Sequence, residues 1–191
     1  MAGRPRQFDR DQVLDKAIVL FWQQGFEATG VAQLSETLGI GKQSLYGTFG
    51  DKRGLYIAAI QRYSDESVST IRAQLGRPGR AVDHIAEVLD EWAARASGDG
   101  YCGCFLANSC SELGTRDPEV AALLQRKLAR MASVFQTAIE RAQAEGDIAP
   151  DTNAQALARA LVNTAQGLST ASKVDPGFAG DTISQVRRLL C

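Results

Sequence analysis

The chain has 191 residues, of which 45% are hydrophobic and 23% are charged, and its formal net charge is −1. This length is sufficient for a buried core, and this composition is typical of globular proteins, so wholesale disorder is excluded. No apolar run approaches the ~18 residues of a membrane span, and no signal-peptide core follows the charged N-terminus. We therefore expect a cytoplasmic protein without a membrane partner, whose four cysteines are thiols.

Apolar residues recur at helical spacing along almost the whole chain, and no segment alternates as a β-strand does. Asp9 is placed to cap a first helix that Gly25 ends, and two short helices follow over about 31–38 and 42–49. Asp51 then begins a long helix. The pattern predicts an all-α protein of about nine helices, with later breaks near residues 76–79, 97–100, 114–117, 146–153 and 175–177.

The two short helices form a candidate helix-turn-helix, because a tight turn at Gly39 joins them directly after an amphipathic helix. In the second of them, Leu45 and Phe49 lie four positions apart and are expected to face inward. The remaining side chains supply a cation, an amide and hydroxyl groups, which are suited to base edges and phosphates. These outward residues are Lys42, Gln43, Ser44, Tyr46 and Thr48.

Further cations flank this pair of helices. Lys52, in the first turn of the following helix, is placed to meet a DNA phosphate. Arg4 and Arg6 lie on a basic arm, residues 1–8, that suits a DNA backbone or a minor groove. Periodicity alone is equally compatible with a helical hairpin whose charges are simply solvated.

Residues 8–56 resemble the DNA-binding domain of the TetR/AcrR family of transcriptional regulators. The resemblance is carried by Gly25 followed by an aromatic residue, by Thr29, and by the run L-G-I-x-K-x-S-L-Y-x-x-F-x-D-K-x-x-L that starts at Leu38. It implies a three-helix DNA-binding domain over 1–52 and a helical effector-binding and dimerisation domain over 53–191. It also implies a homodimeric repressor that binds a pseudo-palindromic operator in double-stranded DNA and is released by a small-molecule effector.

By position, the resemblance implies that Lys42, Gln43 and Ser44 read bases and that Tyr46, Thr48 and Lys52 contact phosphates. Two positions depart from the family pattern. Gly30 stands where a hydroxyl residue usually caps the helix and bonds a phosphate, and Gly41 stands where another polar cap is common. Glycine is a tolerable cap without a hydroxyl, so Gly30 stays a candidate contact and Thr29 is expected to compensate for the missing hydroxyl.

Dimerisation is predicted in the last two helices, where the resemblance places a four-helix bundle. Their small and apolar faces allow close approach of a second subunit. The alternative is that this stripe packs only within its own subunit. The predicted residues are Leu157, Ala160, Leu161, Thr164, Leu168, Ile183 and Val186.

The effector pocket implied by the resemblance has candidate walls in the middle of the chain, although the identity of the effector is barely encoded. The alternative for each aromatic residue is ordinary core packing, and His84 is expected to be structural. The candidate ligand-binding residues are Trp92, Tyr101, Cys104, Phe105, Asn108, Met131 and Phe135.

Cys102, Cys104 and Cys110 admit three interpretations. A metal site is disfavoured, because C-x-C is not the usual zinc spacing and two cysteines six positions apart on one helix face different sides. A sensor of electrophiles or oxidants is favoured by the helix N-terminus near Cys102 and Cys104, which would lower a thiol pKa, and by the resemblance of G-C-F-L to TetR-type regulators that respond to electrophiles. The third interpretation is small buried residues lining a helix.

Other function classes are weakly supported. The single histidine and the absence of nucleophile–base and phosphate-binding motifs argue against an enzyme, and we predict no cofactor. A helical adaptor that binds protein rather than DNA is the remaining alternative. Sequence-specific binding that is lost steeply with salt would distinguish the regulator from both.

Overall fold

In the computed structural model, residues 8–98 and 100–190 are described, and α-helix is the only regular secondary structure within them. These residues form nine helices: α1 (Arg10–Gln24), α2 (Val31–Leu38), α3 (Lys42–Phe49), α4 (Lys52–Leu75), α5 (Ala81–Ala96), α6 (Phe105–Leu113), α7 (Pro118–Glu145), α8 (Ala154–Ala171) and α9 (Gly177–Leu190). The all-α prediction is confirmed. No helix in the described part of the chain combines the length and the apolar composition that a membrane span requires.

The helix ends follow the local chemistry that the sequence indicates. The Asp9 carboxylate accepts the amides of Asp11 and Gln12 at 2.8 and 3.4 Å, which satisfies N–H groups that have no partner within a helix. Asp117 caps α7 in the same way, with Pro118 in the first helical position. The sixth helix begins at residue 105 rather than near 103 as predicted, because Gly103 has a positive φ of 84°.

The chain packs as two compact units that divide after Ser64. The sequence-based boundary at 52/53 stands at the start of α4, whereas the division lies inside that helix. The reason is that the first half of α4 contributes to the core of the first unit. Tyr56 is 1% exposed and meets the ring of Phe21 edge-on with centroids 4.9 Å apart.

The first unit, residues up to 64, is a three-helix core completed by the start of α4. The inward faces of α1, α2 and α3 meet through buried aliphatic and aromatic residues, and each fully buried leucine contributes about 1.5–3 kcal/mol relative to exposure. On its surface Arg62 donates to both carboxylate oxygens of Asp15, at 2.6 and 3.1 Å. The core residues include Val13, Leu14, Ala17, Ile18, Leu34, Leu38, Leu45 and Leu55.

The second unit, residues from 65 onward, is built around α7. This helix packs against α5, α6 and α8, and α9 lies against α5 and α8. Asp65 accepts from Lys127 of α7 at 2.8 Å, and Arg141 of α7 donates to the carbonyls of Leu75 and Gly79 at 3.1 and 3.0 Å. The α4–α5 linker is therefore held in place by α7 although it is rich in glycine.

Candidate functional site

The turn between α2 and α3 has the geometry of a helix-turn-helix. Gly39 ends α2 in the left-handed conformation, with φ 67° and ψ 27°. Ile40 is buried in the turn, and Gly41 is the N-cap of α3. Leu45 and Phe49 are 0% and 9% exposed. The buried pair orients α3 so that its other side faces solvent.

The exposed side of α3 carries the polar side chains that are predicted to read DNA. Lys42, Gln43 and Ser44 are exposed in its first turn, Tyr46 is 45% exposed, and Thr48 is half-buried. A short helix that presents its N-terminal side chains in this way can enter a major groove without disturbing its buried face. Four of the five residues are exposed and Thr48 is half-buried, and their contacts with DNA stay predictions.

The N-termini of α2 and α3 have glycine caps that make no side-chain hydrogen bond. A Cβ added at Gly30 or at Gly41 would meet no atom within 4 Å. A lack of space for a side chain therefore does not explain why glycine replaces the polar caps of the family pattern. The first-turn amides at both ends remain suited to phosphate oxygens. Arg4 and Arg6 lie outside the described residues, and their predicted contacts stay predictions.

Thr29 and Lys52 point into the protein rather than towards a ligand. Thr29 is 0% exposed, and its hydroxyl donates to the Gly25 carbonyl at 2.6 Å. The expectation that Thr29 supplies the hydroxyl missing at Gly30 is therefore wrong in this conformation, because the group is buried and already bonded. The Lys52 ammonium donates to the carbonyls of Phe26 and Thr29 at 2.9 and 3.1 Å.

The residues predicted to line an effector pocket are divided between the core of the second unit and its margin. Phe105 and Phe135 are 0% exposed, and the ring of Trp92 lies 5.4 Å from that of Phe135. Trp92, Tyr101 and Met131 are partly buried against the same core. These contacts suit ordinary packing as well as a pocket wall, so the ligand-binding roles stay predictions.

The three cysteines are thiols in the structure and are partly exposed. Cys104 is the N-cap of α6, with an extended φ of −97° and ψ of 131°. Burial raises the pKa of the Cys110 thiol, and the nearby charge of Cys104 raises this pKa further. The expected separation of the two thiols around one helix stays a prediction, because Cys104 stands at the N-cap and not within α6.

The segment that carries Cys102 and Cys104 is attached to the C-terminal end of α8. Asn108 donates to the Cys102 carbonyl at 3.0 Å and accepts from Lys173 at 2.5 Å. Burial raises the pKa of Tyr101, and a hydrogen bond with the Ser169 side chain opposes this rise. Asn108, predicted to anchor a ligand, is thus engaged within the protein.

Gly103 lies directly against α8. A Cβ at this position would come within 2.7 Å of the Ser169 carbonyl oxygen and 2.3 Å of the Lys173 Cε atom. Sequence reasoning missed Lys173 and Ser169, because no local pattern connects them with residues more than sixty positions earlier. The cysteine segment therefore has little room to change shape while it contacts α8.

The predicted dimerisation residues divide into inward and outward sets. Leu161, Leu168 and Ile183 are at most 5% exposed, so the alternative of packing within one subunit is correct for these three. Leu157, Thr164 and Val186 are half-buried, and Ala160 is exposed. The surface of α8 that is free to meet a second copy is a different stripe, here called the outer stripe: Ala156, Ala160, Asn163, Gly167 and Thr170.

A groove on the second unit and the distribution of metal-ligating side chains also bear on a ligand site. A groove of about 490 Å³ runs along α5 and α9, and none of the predicted effector residues lines it; its walls are Val82, Asp83, Ala86, Asp90, Ala93, Gly180, Ile183, Ser184, Arg187, Arg188 and Leu190. Within residues 8–98 and 100–190, no group of three or more His, Cys, Asp or Glu side chains could hold a metal ion. His84 has a structural role, because its Nε2 atom lies 3.1 Å from the Pro78 carbonyl oxygen.

Two family models match the chain. Residues 13–59 match the bacterial regulatory proteins of the tetR family, and residues 81–178 match the tetracyclin repressor-like C-terminal domain. Among curated proteins, the HTH-type transcriptional repressor ComR of Escherichia coli (strain K12) is 37% identical over 175 residues, which cover 90% of this chain and 82% of that protein.

Solved structures give the same result. A cysteine mutant of the TetR family transcriptional regulator CifR, complexed with 26 bp double-strand operator DNA, is 31% identical, with a TM-score of 0.80 over 97% of this chain and 98% of that chain. The reduced form of E. coli NemR has a TM-score of 0.85 over 94% of this chain and 95% of that chain, at 18% identity, which shows a shared fold alone.

Proposed function

Because the chain belongs to the TetR family of transcriptional regulators, we propose that it is a homodimeric repressor that releases a pseudo-palindromic operator when an electrophile modifies Cys102 or Cys104. The observation that carries the DNA-binding part is the exposed row of Lys42, Gln43 and Ser44 at the start of α3. A cation, an amide and a hydroxyl in this position match the donors and acceptors of a major groove. This role requires no catalytic activity. It does require a location where DNA is present, and we propose that this location is the cytoplasm.

The dimer follows from the size of the recognition helix. α3 has eight residues, and one such helix contacts too few base pairs to distinguish an operator from competing sequences. A two-fold dimer presents two copies of α3 about one helical turn apart, or a multiple of it, and the operator then has matching half-sites. We assign the second subunit to the outer stripe of α8, because its small side chains are exposed and allow close approach.

The thiol part is supported by position and by contacts. Cys104 precedes the first turn of α6, where helix amides favour a negative charge. The segment around it is attached to α8 through Asn108, Lys173 and the tightly packed Gly103.

Release is expected because an adduct on this segment competes with its contacts to α8. Conjugate addition of a thiol to a quinone forms one C–S bond, and the thiol proton is transferred to the product, so no further reactant is needed. Both cysteines neighbour Gly103, where even an added Cβ would come within 2.7 Å of the Ser169 carbonyl oxygen, so we expect a ring on either of them to strain this packing. The segment then separates from α8, and the shape of the helix that carries the outer stripe changes.

The test is selection of random duplex DNA on the purified protein, with and without a quinone. Enrichment of one inverted repeat, and its loss after treatment, is the expected result. The double variant Cys102→Ser/Cys104→Ser should keep the operator after treatment, whereas Cys110→Ser should release it like the wild type. Cys191, which lies outside the described residues, remains in all variants and serves as an internal control.

Two outcomes would overturn the proposal. Absence of any enriched sequence at low salt, from folded protein, would reject operator binding and favour a protein-binding adaptor. Release of the Cys102→Ser/Cys104→Ser variant to the same extent as the wild type would reject thiol control by these residues while leaving the repressor intact.

A further inference from the structure

Lys52, the first residue of α4, is engaged by the turn between α1 and α2. Its ammonium donates to the Phe26 carbonyl at 2.9 Å and to the Thr29 carbonyl at 3.1 Å. The same ammonium lies 4.3 Å from the centroid of the Phe26 ring, a distance at which the ring face attracts a cation. The residue is half-buried. Two of the three N–H groups of this ammonium are therefore directed into the protein.

The two carbonyls bracket the connection between α1 and α2. Gly25 ends α1 with a φ of 82°, and the buried Thr29 hydroxyl returns to the Gly25 carbonyl at 2.6 Å. Thr29 immediately precedes Gly30, the N-cap of α2, and Gly30 contributes no side-chain cap. The entry of α2 thus has no hydroxyl or carboxylate of its own to orient it, and Lys52 supplies an external attachment.

The attachment bears on DNA binding because α2 directly precedes the recognition helix. Lys52 follows the last residue of α3 by three positions, and its ammonium donates to carbonyls of the residues before α2. It therefore connects the two ends of the helix-turn-helix. A displacement at the start of α2 shifts Leu34 and Leu38, which are 0% and 3% exposed and pack in the core that orients α3. A well-packed core transmits such a shift rather than absorbing it.

We infer that Lys52 is a positioning residue of the DNA-binding unit, which sets the entry of α2 through two carbonyls, rather than a ligand of a DNA phosphate. This inference rests on the DNA binding of the family and is independent of thiol control. Its rival is the sequence prediction itself, in which the ammonium turns outward and pairs with a phosphate. The two roles make opposite predictions for a change that keeps the positive charge.

The first measurement is operator affinity as a function of salt for Lys52→Met and Lys52→Arg. A lost phosphate contact lowers the slope of log K against log salt by about 0.9, or about 1.8 for the two copies of a dimer. As a positioning residue, Lys52→Met should lower affinity about tenfold, because hydrogen bonds from a charged donor are lost, and should leave the slope unchanged. Lys16→Met, which removes an exposed cation from α1, controls for charge alone and should match the wild type.

Lys52→Arg separates the roles most sharply. A guanidinium binds phosphate at least as well as an ammonium, but its planar fork does not fit the site of a compact ammonium between two carbonyls. We expect Lys52→Arg to lose affinity severalfold at an unchanged salt slope. Wild-type affinity in Lys52→Arg, together with a slope lowered in Lys52→Met, would overturn the inference.

Hydrogen exchange of the DNA-free protein distinguishes positioning from general destabilisation. In Lys52→Met, the hydrogen-bonded amides of α2 over 34–38 should exchange faster, while those of the second half of α1 keep their protection. Equal loss of protection throughout the first unit would show a purely structural role, and unchanged exchange at α2 would show that Lys52 does not hold its entry. Either result would also reject the inference.

Discussion

The two units of this protein differ in how far apart in the sequence their functional residues lie. The polar side of α3 is formed by residues 42–48 of one short helix. The cysteine segment of the second unit is instead held by contacts such as that of Asn108 with Lys173, which are 65 positions apart. A recognition helix can therefore be understood from its own periodicity, whereas the position of the cysteine segment depends on the distant helix that packs against it.

At Gly54 in the first unit and Gly103 in the second, an added Cβ would come within 3 Å of another atom. At Gly47 in the first unit and Gly100 in the second, it would meet no atom within 4 Å. These four positions allow the comparison to be tested with substitutions of one carbon atom.

Gly54→Ala should destabilise the first unit by about 3 kcal/mol, the upper range for overpacking. A Cβ at Gly54 would lie 1.9 Å from the Phe49 carbonyl oxygen, and a backbone atom at the end of α3 cannot move without moving the recognition helix. Chemical denaturation and operator binding measure the two consequences. Gly47→Ala is the matched control for the denaturation measurement alone, because Gly47 lies on the proposed DNA-binding helix, nothing lies within 4 Å of its Cβ and alanine favours helix by about 0.5–1 kcal/mol. Equal midpoints for Gly54→Ala and wild type would contradict this prediction.

Gly167→Arg should weaken dimerisation by tenfold to 100-fold, or about 1.4–2.8 kcal/mol. Gly167 is on the outer stripe with open space around it, so the monomer can accommodate the arginine side chain. In a two-fold interface, however, each arginine would lose water and lie close to the same arginine of the second subunit. Sedimentation over a concentration series measures the change. Ala129→Arg, exposed on α7, should leave association unaffected, and a Gly167→Arg dimer of wild-type stability would place the interface elsewhere.

Gly103→Ala should destabilise the second unit by about 1–2 kcal/mol, through its positive φ and its approach to Ser169, and should speed labelling of Cys102. Gly100→Ala is the control, because Gly100 also has a positive φ, 71°, but nothing within 4 Å of its Cβ. The difference between the two variants isolates packing against α8. Identical stability and labelling in both variants would show that this packing does not hold the cysteine segment.

Tyr101 should produce the smallest effect, visible only at alkaline pH. Burial raises the pKa of Tyr101 in the folded protein, so its contribution to stability is complete below the unfolded pKa of about 10 and is lost as pH rises through the folded pKa. The free energy of unfolding should therefore fall more steeply above pH 10 in the wild type than in Tyr101→Phe. Parallel pH profiles for the two proteins would argue against a raised pKa.

Most of the first unit could be predicted from local sequence. The cap at Asp9, the left-handed turn at Gly39 and the buried pair Leu45 and Phe49 follow from neighbours within four positions, and all are confirmed. The inward engagement of Lys52 and Thr29 could not be predicted, because residue 52 meets carbonyls 23 and 26 positions earlier. A lysine in a first helical turn has the same local sequence whether it faces phosphate or carbonyl.

The second unit shows the limit of periodicity more clearly. Helical spacing correctly placed α8 and α9. The family resemblance then assigned Leu161, Leu168 and Ile183 of their apolar stripes to a dimer contact, although these residues are buried within their own subunit. An amphipathic helix has one apolar stripe in the sequence, and burial by its own chain or by a second one satisfies that stripe equally well. Only the packing of α8 against α7 and of α9 against α5 decided between the two.

Local sequence was sufficient for the all-α architecture, most helix boundaries, the family and the exposed chemistry of α3, because these depend on caps, turns and spacing within a few residues. The tertiary structure decided that Lys52 and Thr29 face inward, that Asn108 and Lys173 hold the cysteine segment, and which stripe of α8 is open to a partner. These contacts join segments that are distant in the sequence and form only when the chain folds back on itself. The residues that neighbour each partner in the sequence therefore do not indicate them.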